Sequence, residues 1–321
     1  MSNPLPEIRR LLEGAQRILI VSHVSPDGDT VGAALGLAWA LRAEGKEVRL
    51  ACADPIPLEL TFLPGARDFS SRRAGDEEII FCLDASDPAR LGAIYDAEAF
   101  RRVPVVNLDH HITNTLYGDI QWVLPLASTA EIVLEVIRGV GLPLDRTVAT
   151  CLLAGIVTDT RGFRTPNTTP ETLRRACDLM EAGAPLAEIT EAVFDHRALN
   201  TLRVWGAVLS RMELEGGLLW AELPLALLEA YGVSSEASKG LVNFMSTCAE
   251  AEITALLREM ENGQGVDVGL RARPGYDVSA VALAFGGGGH PQAAGCQLRG
   301  SLQEAKERLL PALKALIAQK L

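Results

Sequence analysis

The chain contains no C-x-x-C pair. Its six cysteines, Cys52, Cys82, Cys151, Cys177, Cys248 and Cys296, stand singly and mostly inside apolar segments, so reduced buried thiols are expected instead of a disulfide framework. No apolar run approaches the roughly 20 residues that span a bilayer, and the N-terminal MSNPLPEIRR lacks a signal-peptide core. A cytoplasmic protein with no membrane partner is expected. Basic charge is also short: 30 Lys and Arg stand against 41 Asp and Glu, for a net charge of -11 and a pI near 5.0. That balance argues against binding long duplex nucleic acid, whose affinity comes from neutralised phosphates. A small anion held by metals and a few arginines stays open.

What is present is a length of 321 residues with 48% hydrophobic and 22% charged residues, enough for two domains with sizeable cores. The pattern predicts an α/β protein. Residues 1–188 read as an N-terminal parallel-sheet domain, 189–204 as a helical linker, and 205–321 as a smaller C-terminal α/β domain with a mixed sheet. Monomer and homodimer are equally compatible with the pattern.

In the first domain, short apolar runs end repeatedly in carboxylates and imidazoles. Arg17–Val21 reads as a buried strand running into Ser22-His23-Val24-Ser25-Pro26-Asp27-Gly28-Asp29, followed by a helix over 30–44. Pro26 and Gly28 impose turn geometry that lets Asp27 and Asp29 point to one centre. A helix N-cap accounts for one of these carboxylates and leaves His23 and the other unexplained. A strand at 78–83 ends at Asp84, while Asp87 before Pro88 is the better capping residue. Val103–Leu108 delivers Asp109, His110 and His111. Ser128 and Glu131 have the spacing of a capping box. The apolar run 148–157 delivers Asp159, with Arg161 and Arg164 close enough to meet an anion. His196 sits on a polar helical stretch and reads as a solvated linker histidine.

From Val204 the pattern changes to antiparallel strands around a Gly216-Gly217 hairpin turn. Further on, Arg271 and Arg273 alternate along one strand face, as two arginines sharing a ligand require. Gly286-Gly287-Gly288-Gly289-His290 reads as a loop whose backbone lies against a ligand.

Converging carboxylates repel one another unless cations neutralise them. Two divalent ions about 3.5 to 4 Å apart solve that problem and create a hydrolytic site suited to attack on phosphorus. Oxygen and imidazole donors without thiolates favour Mn²⁺, with Mg²⁺, Co²⁺ or Zn²⁺ as substitutes.

Together, His23-x3-Asp27-Gly28-Asp29, Asp84, Asp109-His110-His111 and Asp159 resemble the four motifs of the DHH phosphoesterase superfamily, which includes RecJ nucleases and family II inorganic pyrophosphatases. Gly286–His290 with Ala293-Ala294-Gly295-Cys296 looks like the signature of the DHH-associated C-terminal domain. The spacing is most similar to the NrnA-type nanoRNase and pAp phosphatase branch. The resemblance implies that His23, Asp27 and Asp84 hold one ion, and that Asp29, Asp84, His110 and Asp159 hold the other, with Asp84 bridging. It implies that Asp109 either supports the ligands from behind or serves as a supplementary ligand, and that His111 contacts the scissile phosphate and supports the leaving oxygen. Arg271, Arg273, Gly287, Gly288, Gly289 and His290, with Arg164, would bind substrate in a cleft between the domains.

The implied activity is Mn²⁺-dependent hydrolysis of short RNA or DNA oligonucleotides to mononucleotides, with dephosphorylation of pAp to AMP. Hydrolysis of cyclic di-AMP or of the linear dinucleotide pApA is the alternative within the same chemistry. A nucleotide-binding regulator with an inactive site is the alternative from another class, against which stands the presence of every ligand. Pyrophosphatase and processive exonuclease readings are disfavoured by the glycine-rich stretch and by the acidic charge. Ala272, Arg161 and Pro291 depart from the usual family pattern and bear on substrate preference.

Overall fold

The computed structural model describes residues 3–195, 197–261, 263 and 265–319; His196 lies outside them. The chain divides into two compact units, Met1–His196 and Arg197–Leu321. No helix among the described residues is long and apolar enough to cross a membrane.

The first unit runs α1 (Leu5–Gly14), β1 (Arg17–Ser22), α2 (Gly28–Ala43), β2 (Glu47–Ala51), β3 (Phe69–Ser70), β4 (Ile79–Leu83), α3 (Ala97–Phe100), β5 (Val105–Asp109) and β6 (Ile120–Val123). It continues through α4 (Thr129–Val140), α5 (Arg146–Asp159), α6 (Pro170–Glu181) and α7 (Leu186–Thr190). Its strands form one parallel sheet in the order β3-β2-β1-β4-β5-β6. Central strands β4 and β5 are buried at every position, which is why they read as near-continuous apolar runs. Ile18, Ile20, Phe81, Leu83, Val106 and Leu108 face α2, α4 and α5 in the larger core. Leu19, Val21, Ile80 and Cys82 face a thinner layer of Leu91, Ile94 and Phe100. Asp87 accepts the Ala89 N–H as its spacing predicts, but the segment it caps, Pro88–Ile94, is 3₁₀.

Helices α2 and α5 touch along glycines. A Cβ on Gly32 would lie 2.4 Å from the Cys151 carbonyl oxygen and 2.8 Å from Gly155 N, and one on Gly28 or Gly36 would overlap Thr158 or Leu152. Glycine every fourth residue therefore brings the two backbones together.

The second unit contains α8 (Leu199–Leu209), β7 (Glu213–Glu215), β8 (Leu218–Leu223), α9 (Leu225–Tyr231), α10 (Leu241–Met245), β9 (Ile253–Glu259), β10 (Gly265–Ala272), α11 (Val278–Ala284), β11 (Gly288–His290), β12 (Ala293–Arg299) and α12 (Leu302–Ala318). The sheet order is β11-β12-β10-β9-β8-β7. It is mixed, since β8 and β9 are parallel and the other pairs antiparallel. Leu218 and Trp220 point into one core with α11 and α12, and Leu219 and Ala221 into another with α8, α9 and α10. The strand's period of two thus feeds a core on each side. The segment 189–204, expected as a linker, has one end in each unit: Ile189 is buried in the first core and Val204 in the second.

Candidate active site

Strands β1, β4 and β5 are neighbours in register, with Ser22 beside Leu83 and Leu83 beside Leu108. The next residues along, His23, Asp84 and Asp109, therefore stand side by side at the sheet's carboxyl edge, Asp109 as the last residue of β5. The strand order turns back between β1 and β4, and ligands of open α/β sheets bind at such a switch point. Asp84 adopts a left-handed backbone (φ 58), a conformation uncommon outside glycine and often found at functional sites.

The two carboxylate oxygens of Asp84 face opposite ways. Oδ2 lies 3.4 Å from His23 Nε2, which is itself 3.7 Å from Asp27 Oδ1. Oδ1 lies 3.5 Å from His110 Nε2, which is 3.7 Å from Asp159 Oδ2. Three groups of donor atoms result, each gathered within 4.8 Å: His23, Asp27 and Asp84; Asp29, His110 and Asp159; and Asp84, His110 and His111.

The ring orientations test whether this donor set fits cations. His23 Nδ1 faces the Val24 carbonyl at 2.7 Å, and His110 Nδ1 the Leu126 carbonyl at 3.2 Å. A carbonyl only accepts, so both Nδ1 atoms carry the proton. In the neutral rings Nε2 then presents a lone pair to carboxylate oxygens. Separations of 3.4–3.7 Å exceed good hydrogen-bond lengths. They lie near the roughly 3.0–3.4 Å that separates two atoms bonded at about 2.1 Å to one ion. The donor groups are of a kind that could hold a metal ion.

The charges point the same way. Burial disfavours the His23 cation, but Asp27 and Asp84 outweigh it and raise the pKa to about 10. Burial, then the Asp84, Asp159 and Asp27 charges, push Asp29 well above the usual carboxylate range. Burial also pushes Asp159 up to about 7, against the pull of His110 and with Asp84 and Asp27 adding to it. These are groups short of positive charge.

Asp109 is held by its neighbours along the chain. Its Oδ1 accepts from His111 Nδ1 at 2.8 Å and from the His110 N–H at 2.9 Å, while Oδ2 accepts from Asn114 Nδ2 at 2.6 Å. Asn114 also donates to Asn107 Oδ1 at 2.8 Å, and buried Asn107 donates to the Cys82 and Ala85 carbonyls. This chain of amides fixes Asp109 and so the His111 ring.

Both aspartates of the first loop also bind backbone amides. Asp27 caps α2 through the Asp29 and Thr30 N–H groups. Asp29 caps another helix in trans, accepting from Thr129 N at 2.6 Å and Ala130 N at 2.9 Å at the start of α4. A carboxylate has lone pairs for both a cap and a cation. The capping box expected at Ser128 and Glu131 is half formed. Ser128 accepts the Glu131 N–H, but the Glu131 carboxylate turns to Ala127 N, Thr172 and Arg175. Asn107, Asn114, Thr129 and the α2–α5 glycines were not singled out by the sequence reading; the G-x3-G-x3-G spacing at 28, 32 and 36 was the available signal.

The expected substrate residues are set differently. Arg164 is exposed, its Nε donating to the Arg161 carbonyl at 2.9 Å. Arg161, Gly162 and Phe163 all have left-handed φ values, 52, 72 and 64. In the second unit, Arg271 Nε donates to Asn243 Oδ1 at 2.6 Å, and Arg273, just past β10, donates to the Ala249 carbonyl at 2.6 Å. The glycine stretch is not a free loop: Gly288, Gly289 and His290 form the exposed edge strand β11 against β12. A Cβ at Gly287 would lie 2.1 Å from the Gly295 carbonyl oxygen, and one at Gly289 2.5 Å from that of Ala293. Close strand approach thus accounts for those two glycines.

Residues 17–156 match the DHH family, N-terminal domain, and residues 222–319 match the DHHA1 domain. The bifunctional oligoribonuclease and PAP phosphatase NrnA of Thermus thermophilus is 38% identical over 314 residues, covering 96% of this chain and 92% of the relative. This chain belongs to the DHH family. The protein of the same description from Bacillus subtilis is 28% identical over 316 residues, covering 97% of each chain. An exopolyphosphatase-related protein from Bacteroides fragilis has a crystal structure similar to this one, with a TM-score of 0.91 at 27% identity over 98% of this chain and 97% of the other. This DHH-family member is a phosphoesterase similar to NrnA.

Proposed function

We propose that this phosphoesterase hydrolyses oligonucleotides of a few residues to mononucleotides and also converts pAp to AMP, using a pair of divalent cations, Mn²⁺ first among them. The observation that carries the reading is Asp84, whose two oxygens meet two different imidazoles, each ring also meeting a further carboxylate. The names of its relatives supply the substrate class.

We assign His23, Asp27 and Asp84 to one cation, and Asp29, Asp84, His110 and Asp159 to the other. Bound, the pair supplies Lewis-acid activation of water and neutralises charge gathering at phosphorus. The chain's own groups do the rest. Asp109 holds His111 through Nδ1, which supports a role for that ring at the scissile phosphate and its leaving oxygen. Arg164, Arg271 and Arg273, with Gly287, Gly288, Gly289 and His290, are assigned to the substrate's phosphates and nucleoside. Their guanidinium forks suit phosphate oxygens, so short substrates gripped at an end are favoured over long strands. In this division of labour residues 1–188 carry the chemistry, 189–204 the connection and 205–321 the grip on substrate in a cytoplasmic enzyme.

Incubation of the purified chain and Mn²⁺ with pApA, pAp and cyclic di-AMP tests the reading. AMP from pAp as well as from pApA, with cyclic di-AMP left intact, is expected, and turnover of pApA without pAp selects the linear-dinucleotide alternative. Turnover of cyclic di-AMP alone selects the cyclic-dinucleotide alternative, and no turnover with Mn²⁺, Mg²⁺ or Co²⁺ overturns the proposal.

A further inference from the structure

Thr129 opens α4 and is fully buried, yet its hydroxyl makes no helix-capping bond; Ser128 does that work. Thr129 Oγ1 donates instead to Asp84 Oδ1 at 3.0 Å, and its backbone N–H donates to Asp29 Oδ2 at 2.6 Å. One residue therefore grips two carboxylates that come from different elements, Asp84 after β4 and Asp29 in the first turn of α2. The neighbouring Ala130 N–H holds the other Asp29 oxygen at 2.9 Å.

The bond to Asp84 matters because a carboxylate turns easily about its last torsion, which has broad, roughly two-fold preferences. Sharing Asp84 between two cations would need one orientation, and the structure has Oδ2 toward His23 and Oδ1 toward His110. The Thr129 hydroxyl has a single proton and spends it on Oδ1, which defines that orientation. At Asp29 the start of α4 supplies these two N–H groups, which have no partner within the helix, and the positive end of the helix dipole, both favouring the carboxylate form. Gly155 closes the other side, since a Cβ there would stand 3.0 Å from Asp29 Oδ1.

We infer that Thr129 is a positioning residue: it sets the bridging orientation of Asp84 and thereby the affinity of the cation position formed by Asp29, His110 and Asp159. The inference rests on the two-cation reading above. It concerns this chain's own hydrogen bonds, and metal uptake tests it without any substrate.

The experiment titrates the full chelator-treated chain with Mn²⁺ by calorimetry and with Co²⁺ by visible absorption, in wild type, Thr129→Val and Thr129→Ser. Valine keeps the shape and removes the donor. The expected result is two ions in wild type. Thr129→Val should lose about 10–100-fold in affinity for one of them, the scale seen when a supporting hydrogen bond to a metal ligand is removed. A changed Co²⁺ spectrum should accompany the loss, and Thr129→Ser should restore wild-type behaviour. Two ions bound by Thr129→Val with wild-type affinities would overturn the inference. So would an equal weakening of both ions with a lowered Tm of the chelated protein that serine fails to rescue. Fewer than two ions in wild type overturns the two-cation reading itself, and that arm needs no variant.

Discussion

His23 Nε2 and Asp84 Oδ2 stand 3.4 Å apart, and the ring's other nitrogen already donates to the Val24 carbonyl at 2.7 Å. Once the ring loses its second proton the pair consists of two acceptors facing each other, an arrangement that a bound cation would satisfy. Asp84→Asn keeps the shape and removes the shared charge. Turnover of pApA with Mn²⁺ should fall by at least about 10²–10³-fold, the scale of losing one central electrostatic group. The Tm of the chelated protein should stay level or rise, because a repelling carboxylate has gone. Steady-state kinetics and thermal unfolding on the same preparation check both halves.

Metal uptake should be linked to protons. Burial, with Asp84 and Asp27 adding, raises Asp159 to about 7, and Asp27 and Asp84 outweigh burial to raise His23 to about 10. At neutral pH in chelated protein His23 carries its second proton and Asp159 is about half protonated, so Mn²⁺ must displace these protons and affinity should climb between pH 5 and 8. Calorimetry in two buffers of different ionisation enthalpy reads the released protons.

The same carboxyl fixes the sign of a stability effect. The folded-state value of Asp159 lies above its ordinary value of 3.8, so between about pH 4 and 7 the folded chelated protein binds more protons than the unfolded chain. Its stability contribution is present below that window and is lost as pH rises through it. Chelated protein should lose Tm across this range, and saturating Mn²⁺ should reverse the slope. Thermal scans at pH 4.5, 6 and 7.5 with and without Mn²⁺ decide it.

Gly32→Ala should damage the site from a distance. The added methyl would meet the Cys151 carbonyl oxygen at 2.4 Å, so α2 and α5 must part and carry Asp29 away from Asp159. The cost of such overpacking is about 1–3 kcal/mol, or roughly 2–12 °C in the Tm of a domain this size. Gly14→Ala, with nothing within 4 Å of its new Cβ, is the control and should leave both Tm and turnover near wild type.

Asp109→Asn tests how His111 is held. The amide keeps the volume but disrupts the acceptor for His111 Nδ1, now 2.8 Å away. A fall in kcat of about 10–100-fold is expected, with KM and the number of bound Mn²⁺ ions unchanged. A matching loss of metal stoichiometry would instead make Asp109 a ligand.

Much of the candidate centre was legible because most of its carboxylates and imidazoles stand at or just after the end of a buried apolar run. His23, Asp84 and Asp109 can be named as strand-end residues from hydropathy alone, since a strand buried on both faces leaves no other place for a charge. Thr129 was not legible: a threonine after a serine at a helix start reads as a cap, and nothing local says that its hydroxyl crosses to Asp84. The glycines before His290 misled for a related reason. Backbone freedom and close strand approach demand the same residue, and only the pairing with β12 tells them apart.

The sequence by itself determined the two α/β units, the identity of the carboxylates and imidazoles, and their position at the ends of apolar runs, because periodicity and burial are local properties. Only the tertiary structure decided that Ser22, Leu83 and Leu108 lie in register, that Asp84 faces two rings at once, and that Thr129 holds two carboxylates. Those facts depend on strand register and helix approach, where a slip of one residue moves a side chain by about 3.3 Å, more than the roughly 2.1 Å of a metal–ligand bond.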